Sequence, residues 1–270
     1  MKKNNNLIFA HYHSNGLIRK DILEFFKKSK PFFKEIILIS TNLKKEEKKK
    51  IPKNIRIIIR KNIGYDFFSY KIGLDYFLKK EKNNLDINLF FLNSSVLFVN
   101  TGKLIRSLNN LKLGKNEIWG LTKSYELAEH IQSYFFCFST SILKNKLIMN
   151  WWKKIKPHKK RQTIVNKYEL GMSDLMIKNN IKLQSIFKKN IKLFPKNIVQ
   201  KVAQRYKEVF YKQKKIYKKN PTNYFWKDFY TQFGLVKIEL IKLNPKKIDI
   251  KKLTMILNKK KGLIEEAKNN

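Results

Sequence analysis

Cysteine is almost missing from this chain. Cys137 is the single thiol in 270 residues, and it lies inside the apolar run SYFFCFS. No disulfide can form within the chain, which excludes a disulfide-stapled scaffold and makes a cytoplasmic setting the natural reading. Long hydrophobic runs are missing too. No stretch approaches the roughly 18 apolar residues that a membrane span needs. The apolar part of the basic start MKKNNNLIFAHYHSNG is too short for a secretory signal. Acidic residues are few, 20 against 60 basic ones, and only six of those basic residues are Arg, so 54 are Lys. Readers of bases and phosphates lean on the bidentate Arg fork, and the lysines here are spread over the whole length. The formal charge of +40 is therefore read as solvated surface with no specific nucleic-acid partner. It leaves room for peripheral contact with an anionic membrane face or a polyanionic substrate.

What is present is a folding sequence, 43% hydrophobic and 13% aromatic, long enough for a sizeable core. NLIFAHY, EIILIST and NIRIIIRKN read as short buried strands. LIRKDILEFFKKSK and YDFFSYKIGLDYFLKK carry apolar residues at helical spacing, the second with Phe67, Tyr70, Leu74 and Phe77 on one face. DINLFFLNSSVLF reads as one strand buried on both faces, TGKLIRSLNNL as a helix capped by Thr101, and NEIWGLTKS and SYFFCFSTSIL as further strands. Strands alternating with helices predict an α/β fold with a mainly parallel sheet flanked by helices. From about Asn145 the pattern turns helical, with a short strand at KLQSIF. Residues 197–220 read as a basic, aromatic helix, and the tail after Asn258 as frayed. The division expected is a ligand-binding domain over 1–190 and a helical, basic extension over 191–270.

In such sheets ligands bind where the carboxyl ends of strands meet loops. That points to His11, Tyr12 and His13; Thr41 and Asn42; Arg60 to Asp66; Asn93 to Ser95; and Thr122 to Ser124. In RKNIGYDFFSY, Arg60 and Asn62 suit a diphosphate or base, Gly64 a close backbone approach, and Asp66 a ribose or base hydrogen bond. The same residues also suit a plain strand-to-helix corner, with Asp66 favoured by the helix dipole. His11 and His13 flank Tyr12 without a carboxylate at ligand spacing, so they read as site-lining residues and not as a metal pair. His130 and Gln132 enter a strand from a loop on the same edge. Glu169 and Ser173 are i and i+4 on one helix, where Glu169 is either a general base or a surface partner for a lysine. No Ser-His-Asp order, CxxC, HExxH, GxGxxG or P-loop occurs.

The segments FAHYHSNGLIRKDILEFF, RKNIGYDFFSYKIGL, FFLNSSVLF, WGLTKSYELAEHIQSYFFCF, YELGMSDLM and NPTNYFWKDFYTQFGLVKIELIKLNP occur in the order of the rhamnan synthesis protein F family, which the chain resembles over nearly its whole length. That resemblance implies a GT-A-like fold and a glycosyltransferase of cell-surface polysaccharide or lipopolysaccharide assembly. It implies a nucleotide-sugar donor, a deoxyhexose such as rhamnose as the transferred sugar, and a glycan or lipid-linked glycan acceptor at the inner membrane face. Donor binding then falls to His11, Tyr12, Arg60, Asn62, Gly64, Tyr65, Asp66, Asn93, Ser94 and Ser95. Catalysis falls to Glu169 and His130, and acceptor binding to Gln132 and Ser173. The resemblance also implies Mg2+ or Mn2+. Relatives usually carry Asn-Asp-Ser after the central strand, whereas this chain has Asn93-Ser94-Ser95, so the metal ligands stay unassigned. A second expectation follows from that loss: a member that binds glycan or a partner without turnover. A basic nucleic-acid-binding protein is a third.

Overall fold

The computed structural model describes residues 4–81, 86–187, 218–259 and 262–268. Its main sheet has seven strands: β1 (Asn5–His11), β2 (Glu35–Ser40), β3 (Arg56–Ile59), β4 (Asn88–Asn93), β6 (Glu117–Gly120), β9 (Phe135–Phe138) and β10 (Lys182–Ser185); β5 (Val96–Phe98) pairs with β11 (Leu235–Lys237) and β7 (Lys123–Ser124) with β8 (His130–Ile131) in two small sheets. The seven lie in the order β10-β6-β9-β4-β1-β2-β3. All neighbours pair parallel except β9, which runs antiparallel to β4 and β6. The mainly parallel, helix-flanked sheet is the one the alternating pattern predicts.

The period-2 alternation of strands decides which side chains fill which layer. In β1, Leu7 and Phe9 face one core, with Ile22, Phe25 and Phe26 of the helix Lys20–Ser29 and Leu104 and Leu108 of the helix Thr101–Asn109. Ile8 and Ala10 face the other, with Phe67, Tyr70, Leu74 and Phe77 of the helix Tyr65–Lys80. That helix approaches β1 closely because Gly73 has no side chain: a Cβ there would lie 2.5 Å from Cγ2 of Ile8. Trp152 is buried beside the stacked pair Phe91–Phe136, whose centroids are 4.4 Å apart.

Four expectations are corrected. DINLFFLNSSVLF is not one strand: the chain turns at Ser94-Ser95, and β5 (Val96–Phe98) leaves the main sheet to pair antiparallel with β11 (Leu235–Lys237). The cap of the next helix is Asn100, whose side chain accepts from the Lys103 N–H, and Thr101 is the first helical residue. Glu169 and Ser173 do not share one α-helix, because Val165–Leu170 is π-helical and the α-helix resumes at Gly171–Lys178. The described tail is ordered by packing: Leu263 and Ala267 of the helix Leu263–Lys268 enter a third core, and Glu266 accepts the Lys20 N–H at 3.1 Å. The basic segment expected as a helix at 197–220 lies, up to residue 217, outside the described residues. Among the described residues no helix is long and apolar enough to cross a membrane.

Candidate active site

The chain lays β2 and β3 on one side of β1, then returns to place β4 on the other. Between β1 and β4 the direction of winding reverses, and the crevice outside the strand ends at such a switch point is where open α/β sheets bind ligands. A cavity of about 870 Å³ opens there. Because β9 is antiparallel, the residues that precede it, Gln132 to Tyr134, reach the same edge as the residues that follow β1, β3 and β4. The wall includes His11, Tyr12, Arg60, Asn62, Gly64, Tyr65, Asp66, Asn93, Ser94, Ser95, His130, Gln132 and Glu169. Ser173 is not in it. Its buried hydroxyl accepts from Ile131 N at 3.1 Å and donates to the Glu169 carbonyl at 3.3 Å, so it holds the site from behind.

The loop after β3 is both corner and wall. Arg60 donates through Nε to Ser69 Oγ (2.9 Å) and through Nη1 to the carbonyls of Lys61 (2.8 Å) and Ile63. Its Nη2 donates to the Tyr65 carbonyl. The guanidinium thus clasps its own loop. Burial lowers it to about 10, against the pull of Asp66. Gly64 (φ 79°) and Tyr65 (φ 51°) are consecutive left-handed residues. A Cβ on Gly64 would also lie 2.8 Å from Cα of Pro157, so glycine is demanded twice over. Asp66 lies in the first turn of the helix, with Oδ1 accepting from Phe67 N (3.1 Å) and Oδ2 from Asn93 Nδ2 (2.7 Å). Burial, and then the charge of Glu169, raise its pKa above the usual carboxylate range.

On the β1 side, His11 is buried with Nδ1 against Ser40 Oγ at 2.9 Å. Burial, followed by Arg19 and His13, pushes it down to about 3, so the ring is neutral at physiological pH. Tyr12 is exposed at the rim, and its backbone joins the two halves of the switch point. Ser94 Oγ accepts from Tyr12 N (3.0 Å) and donates to Tyr12 O (3.1 Å).

Four carboxylates line the cavity among the described residues, Asp66, Glu126, Glu169 and Glu239, and Glu169 is held by Ser133 of the β9 approach. Oε1 accepts from Ser133 N (3.2 Å) and Oε2 from Ser133 Oγ (3.1 Å). His130 Nε2 stands 3.7 Å from Oε1. His130 Nδ1 lies 2.8 Å from the Ala128 carbonyl, an acceptor only, so Nδ1 carries a proton and Nε2 faces the carboxylate. The π-helical turn places Glu169 here; such turns recur at functional sites. Gln132 is tied to Thr122 Oγ1 (2.7 Å) and Asn220 Oδ1 (3.4 Å), which also caps the short helix Pro221–Tyr224.

Three residues of the wall escape a reading by strand ends alone. Ser133 lies within a segment already singled out, but its role depends on Glu169 of a distant turn. Asn223 is buried in the wall and its Oδ1 has no hydrogen-bond partner among the described residues. Lys237 donates to Ser95 Oγ at 2.8 Å and lies over the Tyr134 ring, 4.4 Å from its centroid.

The turn after β4 does not fit a divalent ion. Its side chains are neutral, and hard cations need several oxygen donors, carboxylates foremost. Asn93 Oδ1 is engaged by Ser95 N (3.1 Å) and Ser95 Oγ (2.5 Å), and Ser94 by the Tyr12 backbone. The Lys237 ammonium already sits on Ser95. No cluster of three or more His, Cys, Asp or Glu able to hold a metal occurs among the described residues.

The fold is of the doubly wound α/β class, with a carboxylate-lined cavity at its switch point. The sequence profile of the family described as Rhamnan synthesis protein F matches residues 36–242, and the chain belongs to that family. Uncharacterized protein y4gN of Sinorhizobium fredii is 23% identical over 172 residues, 62% of this chain and 44% of its own length. Virulence protein VirA of Vibrio anguillarum is 35% identical over 95 residues, 35% of this chain and 29% of its own. The chain thus spans less than half the length of these curated relatives. Among solved structures, a mannosyltransferase from Pyrobaculum calidifontis in complex with GDP-Man and Mn2+ matches with a TM-score of 0.43 and 8% identity, over 76% of this chain and 61% of that one. The glycosyltransferase GlyE of Streptococcus pneumoniae matches with a TM-score of 0.40 and 14% identity, over 81% and 52%.

Proposed function

We propose that this chain is a nucleotide-sugar-dependent glycosyltransferase of cell-surface polysaccharide or lipopolysaccharide assembly. Membership of the rhamnan synthesis protein F family supports the class of reaction. The observation that carries the mechanism is Glu169, held by both donors of Ser133 at the wall of a cleft at the sheet's switch point. The donor's diphosphate lies against the strand ends at Asn93 to Ser95 and the Arg60-to-Asp66 loop. The acceptor hydroxyl approaches from the side of Gln132 and His130. As its oxygen forms the new bond to the anomeric carbon, its proton passes to the Glu169 carboxylate. The old anomeric C–O bond breaks with its electron pair staying on the diphosphate. His130 stands at the same carboxylate and orients the exchange. The sugar is a deoxyhexose such as rhamnose, and the acceptor a glycan, lipid-linked at the inner face of the cell membrane, where the basic surface meets anionic headgroups.

The test is transfer from a panel of nucleotide-sugars by purified protein. Glu169→Gln keeps the shape and removes the base, and should lower transfer about 10²–10⁴-fold. Transfer at the wild-type rate in that variant would remove Glu169 from the role. The neutral turn Asn93-Ser94-Ser95 favours a second reading, a member that binds glycan without turnover. Under it, no donor raises Tm, with or without Mg2+ or Mn2+.

A further inference from the structure

The cleft needs positive charge where a diphosphate departs, and its neutral β4–β5 turn leaves open which group supplies it. Among the described residues the Lys and Arg side chains of the wall are Arg60, Lys159, Arg161, Lys237 and Lys246. Arg60 is engaged by its own loop. Lys246 pairs with Glu126 at 3.2 Å. Lys159 and Arg161 are exposed at the rim. Arg60 and Lys237 are both half-buried, but of the five only Lys237 donates to a side chain of the turn itself.

Its position is built by long-range structure. β11 pairs antiparallel with β5, setting Lys237 opposite Val96, and Ile238 N donates to the Ser95 carbonyl at 3.0 Å. The Lys237 ammonium donates to Ser95 Oγ (2.8 Å), Ser95 Oγ to Asn93 Oδ1 (2.5 Å), and Asn93 Nδ2 to Asp66 Oδ2 (2.7 Å). Every donor in this chain points the same way, from a cation to a carboxylate through two neutral side chains. The relay fixes Ser95 and Asn93 and aims the ammonium. An ammonium carries three donors, and only the bond to Ser95 engages one of them among the described residues. No salt bridge forms to Lys237 among those residues either, although Glu169, Asp66 and Glu239 all act on it through space. A desolvated cation kept half-buried without a bonded counterion is a costly arrangement to hold for structure alone, and the Tyr134 ring 4.4 Å away offsets only part of that cost.

We propose that Lys237 is the resident cation of this cleft: its ammonium binds the donor's diphosphate and stabilises it as it leaves, in the place where an acidic turn would hold a metal ion. The inference rests on the donor-binding reading above. Asn93-Ser94-Ser95 is then a complete site matched to a lysine, and not a damaged metal site.

The experiment is isothermal titration of the whole protein with UDP, GDP, dTDP and CDP, and with the matching monophosphates, in EDTA. At least one nucleoside diphosphate should bind without metal. Lys237→Met should weaken it at least tenfold and the monophosphate by less than threefold, while Lys27→Met, an exposed lysine far from the cleft, leaves both unchanged. Tm of Lys237→Met should equal or exceed that of the wild type, which separates a lost ligand contact from a damaged fold. Metal-dependent binding that is equal in wild type and Lys237→Met would overturn the role of Lys237 and leave the donor site standing. No binding of any nucleoside diphosphate to the wild type, with or without Mg2+ or Mn2+, would overturn both.

Discussion

Lys237 holds its charge against its surroundings. Burial lowers it to about 8, while Glu169, Glu239 and Asp66 pull it up and Arg161 pushes it down. The unfolded lysine titrates in its ordinary range near 10.5. Below about pH 8 both states are protonated and the fold bears the full cost of the desolvated charge. Between about pH 8 and 10.5 the unfolded chain binds the extra proton, so this residue's contribution to stability rises with pH. Lys237→Met should therefore unfold at higher denaturant near pH 7, by about 1–3 kcal/mol, and its advantage should fade above pH 8. Urea titrations at pH 7 and pH 9.5 check this; a variant less stable than wild type at pH 7 would mean that the lysine is structural. Lys237 is not legible in the sequence. It is one of 54 lysines, on a strand of three residues, and what sets it apart is pairing with a distant strand. His11, Arg60 and Asn93 are legible because each directly follows an apolar run, which in a parallel sheet puts a residue at the strand ends; Asp66 is legible as the acidic residue in the first turn of the helix that follows.

At the scale of elements, the helix Tyr65–Lys80 fixes one wall of the cleft, and its sequence announced it: Phe67, Tyr70, Leu74 and Phe77 are all buried, as their spacing predicts. What spacing could not say is how near the helix comes to β1. Gly73 sets that distance. Gly73→Ala would press a methyl group onto Ile8 and should destabilise the fold by about 1–3 kcal/mol, despite alanine's better helix propensity. Thermal or urea unfolding reads it out, and a stabilised variant would contradict the packing described. Two breaks in regular structure were invisible to periodicity. DINLFFLNSSVLF is apolar enough for one strand, but β5 pairs away from the main sheet, so the chain must turn at Ser94-Ser95. The π-helical turn at Val165–Leu170 preserves the apolar pattern while changing which residues face the cleft. It presents Glu169 and leaves Ser173 behind the wall, against the expectation of a shared helical face.

At the scale of the whole molecule, the α/β class followed from the alternation of strand and helix patterns. The antiparallel β9 did not: SYFFCFS is buried on both faces and reads alike in either direction. That reversal brings Ser133 and Tyr134 to the strand ends and so completes the cleft around Glu169 and Lys237. The described residues beyond 218 are likewise part of the site, since Asn220, Asn223 and Lys237 line it. The reaction proposed for this cleft is transfer of a sugar from a nucleotide donor. Its most direct test is release of nucleoside diphosphate from a panel of nucleotide-sugars by purified protein, in EDTA, with and without a membrane glycan acceptor fraction. Release is expected from at least one donor, accelerated by acceptor, and reduced at least 100-fold in Glu169→Gln. No release from any donor, even with Mg2+ or Mn2+ added, or release unaffected by Glu169→Gln, would contradict it.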